Sequence, residues 1–227
     1  MKVSYNSQLS RTFIETNTPS SGKPIVYQKG DTTEKRIALT FDDGPDRIYT
    51  PQILDILREK GVPATFFVVG QQVKRFPELT QRIVREGHSI GNHTWSHPKL
   101  PKLTTSQVIQ QVQSTQEEIE RVTGMKSDLF RPPYGAYTAA DIRVLDEHGY
   151  RSILWSVDTV DWSGLSAEEI LSIVNRDKSP GGIILQHGFE ALNGELDGSV
   201  QALPKMIDQL REEGYEFVTV QTLLDSN

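Results

Sequence analysis

Apolar runs of β type alternate with amphipathic helical runs along nearly the whole chain, about seven times over. Strands are expected at 24–28, 37–41, 64–69, 88–91, 129–131, 152–157, 182–186 and 216–218. Between them the apolar spacing changes from two to three and four, the helical period. Thr50 as N-cap, with Pro51 at the first helical position, opens the first helix; its Ile53, Leu54, Ile56 and Leu57 face inward and Gly61 ends it. A second helix is expected over 73–86. Thr104 and Gln107 form a capping-box pattern before Val108, Val112, Thr115, Ile119 and Val122, a stripe that ends at Gly124. That stripe is too short for a coiled coil and reads as a core face. Further helices fit 139–148, 167–177 and 200–213. Strand–helix alternation of this kind implies an α/β fold with a parallel sheet and helices outside, either closed as a barrel or open and doubly wound. The polar clusters all follow strands, which favours the barrel, where chemistry sits at the C-terminal strand ends.

Composition narrows the chemistry. The 227 residues include no cysteine, so thiolate metal sites, disulfides and a Cys nucleophile are excluded, and Asp, Glu and His are left as ligands. A net charge of -6 and a pI near 5.4 offer no basic field for nucleic acid. No apolar stretch approaches the roughly 18 residues of a membrane span, and residues 1–6 lack the apolar core of a secretory signal. Residues 7–22 are polar and aperiodic, as a linker is. The expected organisation is therefore a polar N-terminal segment with one short strand over 1–35 and one domain over 36–227, acting as a monomer.

Five clusters carry the candidate chemistry. Asp42 and Asp43 close the run Ile37-Ala38-Leu39; Gly44 and Pro45 end the strand there, which frees both carboxylates to enter one cleft. His93 and His97 stand four apart before Pro98, which disfavours helix at His97 and suits a loop-borne site. Such a pair alone is as often structural as ligating. A carboxylate from another strand end would complete two His and one Asp, leaving a catalytic metal a position for water. Arg131 precedes Pro132-Pro133-Tyr134; Asp158 and Asp161 precede Trp162; His187 ends the run Gly182-Ile-Ile-Leu-Gln186, with Leu185 on its own side and Gln186 on the other. His148 fits a helix C-terminus and His88 a hydrogen-bonded core position.

Taken in order and spacing, Thr40-Phe-Asp-Asp-Gly-Pro45, His93-x3-His97, Arg131-Pro-Pro-Tyr134, Asp158-x2-Asp161-Trp162 and Leu185-Gln-His187 closely resemble the five motifs of the polysaccharide deacetylases, carbohydrate esterase family 4, the NodB homology domain. The resemblance implies a distorted (β/α) barrel with about seven parallel strands. It implies a metal-dependent hydrolase that removes N-acetyl groups from N-acetylglucosamine units of chitooligosaccharides or peptidoglycan, outside the cell or at its wall. Asp43, His93 and His97 would hold one divalent ion, zinc first, with cobalt, manganese or nickel as alternatives. Asp42 would be the general base and His187 the general acid; Arg131 would hold Asp42, and Asp161 would orient His187 and help it keep its proton. The backbone N–H of Tyr134 would bind the oxyanion, while Trp162 and Leu185 would wall the acetyl pocket. Gln186 stands where many relatives carry an aliphatic residue. Acetylxylan is an alternative substrate. A glycosidase using a carboxylate pair leaves the His pair without a role, and a silent carbohydrate-binding module leaves Asp42 and His187 without one.

Overall fold

The computed structural model describes residues 25–189 and 196–225, so the polar segment 7–22 lies outside the described residues. Strands β1 (Val26–Tyr27), β2 (Arg36–Asp42), β3 (Thr65–Val68), β4 (Ser89–Asn92), β5 (Leu129–Phe130), β6 (Arg151–Ile153), β7 (Val157–Asp158) and β8 (Gly182–His187) form one sheet. Their order is β1-β6-β5-β4-β3-β2-β8-β7, with β9 (Glu216–Phe217) beside β2 and every strand pair parallel. β1 falls within the segment set apart as N-terminal, yet it pairs with β6 as part of this sheet.

The expected strand 152–157 is corrected to two strands, β6 and β7, which lie near opposite ends of the sheet path. Three residues join them, and three residues span at most about 11 Å. The sheet must therefore curl until its ends meet, giving the distorted barrel. Backbone bonds fix the seam: Leu154 N–H donates to the Tyr27 carbonyl at 2.7 Å and Ser156 N–H to Ile183 at 3.0 Å.

Helices α1 (Tyr49–Lys60), α2 (Gly70–Arg75), α3 (Pro77–Arg85), α4 (Thr105–Thr123), α5 (Ala139–Glu147), α6 (Ala167–Asp177), α7 (Asp197–Glu212) and α8 (Val220–Asp225) complete the described residues. The single helix expected over 73–86 is two, because Phe76 leaves the helical region (φ -131°) and Pro77 starts a new helix. Thr50 is not the N-cap of α1. The Asp46 carboxylate accepts from the N–H groups of Ile48, Tyr49 and Thr50, while the Thr50 hydroxyl donates to the Gly188 carbonyl. The capping box at Thr104 forms as expected, and its stripe is buried.

Alternation along β2 divides the core. Ile37, Leu39 and Phe41 face the helices, where α1 contributes Ile53, Leu54 and Leu57; each such buried side chain is worth roughly 1.5–3 kcal/mol. Ala38 faces the barrel interior with Phe67, Leu129, Ile153 and Ile183, and α8 packs on the same cluster through Val220 and Leu223. Continuing the period, Thr40 and Asp42 also point inward, as do Leu185 and His187 on β8.

Candidate active site

Register sets the centre of the site. Asp42 and His187 are partners on the adjacent parallel strands β2 and β8, so two inward-facing titratable side chains stand side by side at the C-terminal ends. β2 stops at Asp42 because Asp43 takes a left-handed backbone (φ 73°). That reversal, at Asp43 itself and ahead of Gly44, brings the second carboxylate into the cleft of the first. His93 follows the last residue of β4, and its N–H still donates to the Val68 carbonyl. A loop with left-handed Thr94 and His97 then returns the second imidazole, rather than a helical turn.

Asp43, His93 and His97 converge: Asp43 Oδ1 lies 3.3 Å from His93 Nε2 and 3.2 Å from His97 Nε2. One ligand atom from each sits within 4.8 Å of the others. The donor set fits a divalent cation. His93 Nδ1 donates to the Arg131 carbonyl at 2.7 Å, which leaves a lone pair on Nε2, and Asp43 Oδ1 is buried without a hydrogen-bond donor. Burial pushes the Asp43 carboxyl up, but contact with His93 and the charges of His93, His97 and His187 outweigh it and hold it at about 2. Burial, with the charge of His93, lowers His97 to about 4, so this imidazole is neutral and available as a ligand at pH 7.

Two buried pairs flank this centre. Arg131, fully buried, donates to Asp42 Oδ1 at 2.7 Å, to Thr40 Oγ1 at 2.8 Å and to the Leu154 carbonyl at 3.0 Å. Its guanidinium lies over the rings of Phe67 and Trp155, at 4.1 and 5.7 Å. The Thr40 hydroxyl donates in turn to the Ile184 carbonyl, so only its lone pairs face Arg131. On the other side, His187 Nδ1 donates to Asp161 Oδ1 at 2.7 Å, and Asp161 Oδ2 accepts from the His187 N–H and the Ser199 hydroxyl. Burial works against a charged His187; Asp161 outweighs it, with help from Asp43 and Asp42, and raises the imidazole to about 9.

A cavity of about 600 Å³ opens on these groups. Asp42, Asp43, His93, His97, Tyr134, Trp162, Leu185 and His187 line it, while Arg131 and Asp161 stand behind Asp42 and His187. Thus all ten residues expected from the sequence meet at one rim. Tyr134 has a left-handed backbone (φ 60°) in a short turn whose hydrogen bonds come from the N–H groups of Gly135 and Ala136, leaving its own N–H outside the turn's pairing. Trp162 is exposed and Leu185 buried. Sequence reading missed Thr40 and Ser199, which touch Arg131 and Asp161, and Trp155, which also packs against Gly135. Thr40 lies inside the first motif segment and faces inward by period two; Trp155 precedes the fourth segment, and Ser199 comes from α7 and carries no local signal.

Gln186 and the remaining histidines fall outside the site. Gln186 faces the helical shell, fully buried, with neither amide atom hydrogen-bonded. His88 Nδ1 accepts from the Ala64 N–H in the core, and burial lowers it to about 4. His148 donates to the Val144 carbonyl at the end of α5.

Known proteins share this fold and much of its sequence. A peptidoglycan-N-acetylglucosamine deacetylase of Bacillus cereus is 42% identical over 198 residues, 87% of this chain and 71% of that protein. A peptidoglycan-N-acetylglucosamine deacetylase of Listeria monocytogenes is 40% identical over 90% of this chain, which spans only 42% of its length. Among solved structures, a peptidoglycan N-acetylglucosamine deacetylase in complex with an N-hydroxybenzamide compound superposes with a TM-score of 0.86 at 42% identity, covering 88% of this chain and 92% of that one. A Bacillus anthracis pseudoenzyme of carbohydrate esterase family 4 superposes at 0.83 with 32% identity, over 89% and 69%. The family model described as polysaccharide deacetylase matches residues 29–153, more than half of the sequence, and the chain belongs to that family.

Proposed function

We propose that the chain, through a domain over residues 36–227 joined by β1 of the preceding segment, hydrolyses the N-acetyl group of N-acetylglucosamine units in peptidoglycan, at the cell wall or outside the cell, and does so as a monomer. One observation carries the reading: a three-ligand centre, Asp43, His93 and His97, opens into the same cavity as the register partners Asp42 and His187. The ion is read as Zn2+, which accepts two imidazoles and one carboxylate. When bound there, it would polarise the acetyl carbonyl and lower the pKa of water from about 15.7 towards about 7.

The chain's own groups then have distinct tasks. Arg131 fixes Asp42 through Oδ1, so its other oxygen, Oδ2, is free to take the proton of the attacking water. The water oxygen bonds to the acetyl carbon, and the carbonyl electrons move to oxygen, where the Tyr134 N–H donates a hydrogen bond. His187, its Nδ1–H held by Asp161, delivers the Nε2 proton to the amide nitrogen as the carbon–nitrogen bond breaks. Acetate and a free amine result. Trp162 and Leu185 flank the space beside His187, apolar surface suited to the acetyl methyl.

The carboxylates do not suit a glycosidase. Such an enzyme works through a pair of carboxyl groups across the scissile bond, whereas here Asp43 stands with His93 and His97, Asp42 bonds Arg131 and Asp161 bonds His187, which leaves Asp158 as the one cavity-lining carboxylate among the described residues outside such a pairing. The test is acetate release from peptidoglycan, chitooligosaccharides and acetylxylan, with and without a chelator. Chelator-sensitive release from the N-acetylated glycans is expected. Release only from acetylxylan would replace the amide reading by ester hydrolysis, and none from any would leave a binding module.

A further inference from the structure

The cavity wall continues along α2. Gln71 and Gln72 line the cavity, and one turn further on, at i+4, stand Arg75 and Phe76. Phe76 is buried, and two guanidinium groups lie against its ring, Arg75 at 5.1 Å and Arg47 at 5.3 Å from the centroid. Arg47 comes from the loop after β2, which also carries Asp43, and Arg75 stands one helical turn beyond the cavity-lining Gln71. Both are exposed, and among the described residues neither has a carboxylate partner. Asp46, next to Arg47, is buried and occupied by three N–H groups of α1 and its entry. In a chain of net charge -6, two unpaired guanidinium groups against one ring beside the cavity are suited to grip a carboxylate.

The cavity itself supplies the second observation. Among the described residues that line it are Asp42, Asp43 and Asp158, and no Lys or Arg. Among those lining residues no arginine or lysine would receive an acid on the reacting sugar. An acid on a neighbouring sugar, lying along α2, would meet the arginines instead.

Building on the amide-hydrolase reading, we propose that Arg47 and Arg75 form a subsite for the carboxylate of an acidic sugar adjoining the sugar that loses its acetyl group. Peptidoglycan offers this pattern, because its N-acetylglucosamine alternates with a sugar whose lactyl ether ends in a carboxylate or a peptide. A neutral chitin chain leaves the arginine pair empty.

The test compares a peptidoglycan tetrasaccharide bearing free lactyl carboxylates with the same glycan after amidation, using kcat/KM for acetate release and calorimetric binding. The proteins are wild type, the Arg47→Gln/Arg75→Gln double variant, and Arg143→Gln, which removes an exposed cation of α5 elsewhere on the surface. Wild type is expected to favour the free acid by about tenfold, the scale of two exposed charge contacts, through KM rather than kcat. Salt at about 0.5 M should shrink that preference. The double variant should treat both glycans alike, and Arg143→Gln should keep the wild-type ratio. A double variant with the wild-type preference, or a wild type with none, overturns the subsite. If neither glycan releases acetate, the hydrolase reading fails, while calorimetry still decides whether the arginine pair binds the acid.

Discussion

Replacing Asp161 by Asn removes the charge that sustains the His187 proton while keeping the side chain's shape. In wild type the imidazole stands at about 9 against an ordinary 6.5, with burial opposing and Asp161 the largest favourable influence. At pH 7.5 a group of pKa about 9 is about 97% protonated, and one at or below 6.5 is about 9% protonated or less. The variant should thus lose about tenfold in kcat/KM at pH 7.5 from protonation alone. Orientation adds to the loss: the His187 N–H and the Ser199 hydroxyl both donate at Oδ2, so an amide oxygen settles there and turns its NH2 towards Nδ1. The sign follows from the proton's role. A general acid works below its pKa, so the alkaline limb of the rate profile marks His187 and should move to lower pH in Asp161→Asn, with partial recovery of rate near pH 6. A full pH profile of kcat/KM for both proteins, with circular dichroism to verify folding, checks this. An alkaline limb at the same pH in both would remove the Asp161–His187 pair from the proton transfer.

Three further outcomes are expected. His97→Ala should purify without stoichiometric metal by elemental analysis, since it removes one of three ligands; full occupancy would discard the Asp43–His93–His97 centre. Thr40→Val deletes the hydroxyl that accepts from Arg131 and should cost roughly 10-fold in kcat with little change in KM, while Thr40→Ser restores it; equal losses in both variants would reduce Thr40 to packing. Gln186→Met replaces two buried, unpaired amide atoms by an apolar chain of similar shape. It should add about 1–2 kcal/mol and raise Tm by about 2–8 °C, and a lower Tm would show that the amide is satisfied.

Much of this architecture is legible in the sequence because its signals are local. The β2 and β8 runs announce their inward residues by period two, and the capping box at Thr104 is written in four residues. What escaped depends on partners distant in sequence. Nothing local distinguishes Asp46 from Thr50 as the cap of α1; Thr50 is drawn off by the Gly188 carbonyl, which β8 delivers. Likewise, Ser152 to Val157 reads as one strand because the seam it crosses exists only once the barrel curls.

The deepest gap concerns backbone conformation. Among the described residues five non-glycine residues have positive φ: Asp43, Thr94, His97, Tyr134 and Val160. All lie on the loops that build the cavity rim, and three carry proposed roles. Left-handed backbone costs an L-residue of order 1–3 kcal/mol, and although Asp and His adopt it more often than most residues, nothing local marks Asp43 or His97 for it. The barrel holds these residues there through bonds to its strands and loops: the Asp43 N–H donates to the Phe67 carbonyl of β3, and the His97 N–H to the Thr94 hydroxyl. Motif spacing alone could therefore name the ligands but not aim them. The parallel pairing of β2 with β3 and β8 lets two ill-favoured backbone turns point a carboxylate and an imidazole at one centre, beside Asp42 and His187, the proposed proton acceptor and donor, which register already places.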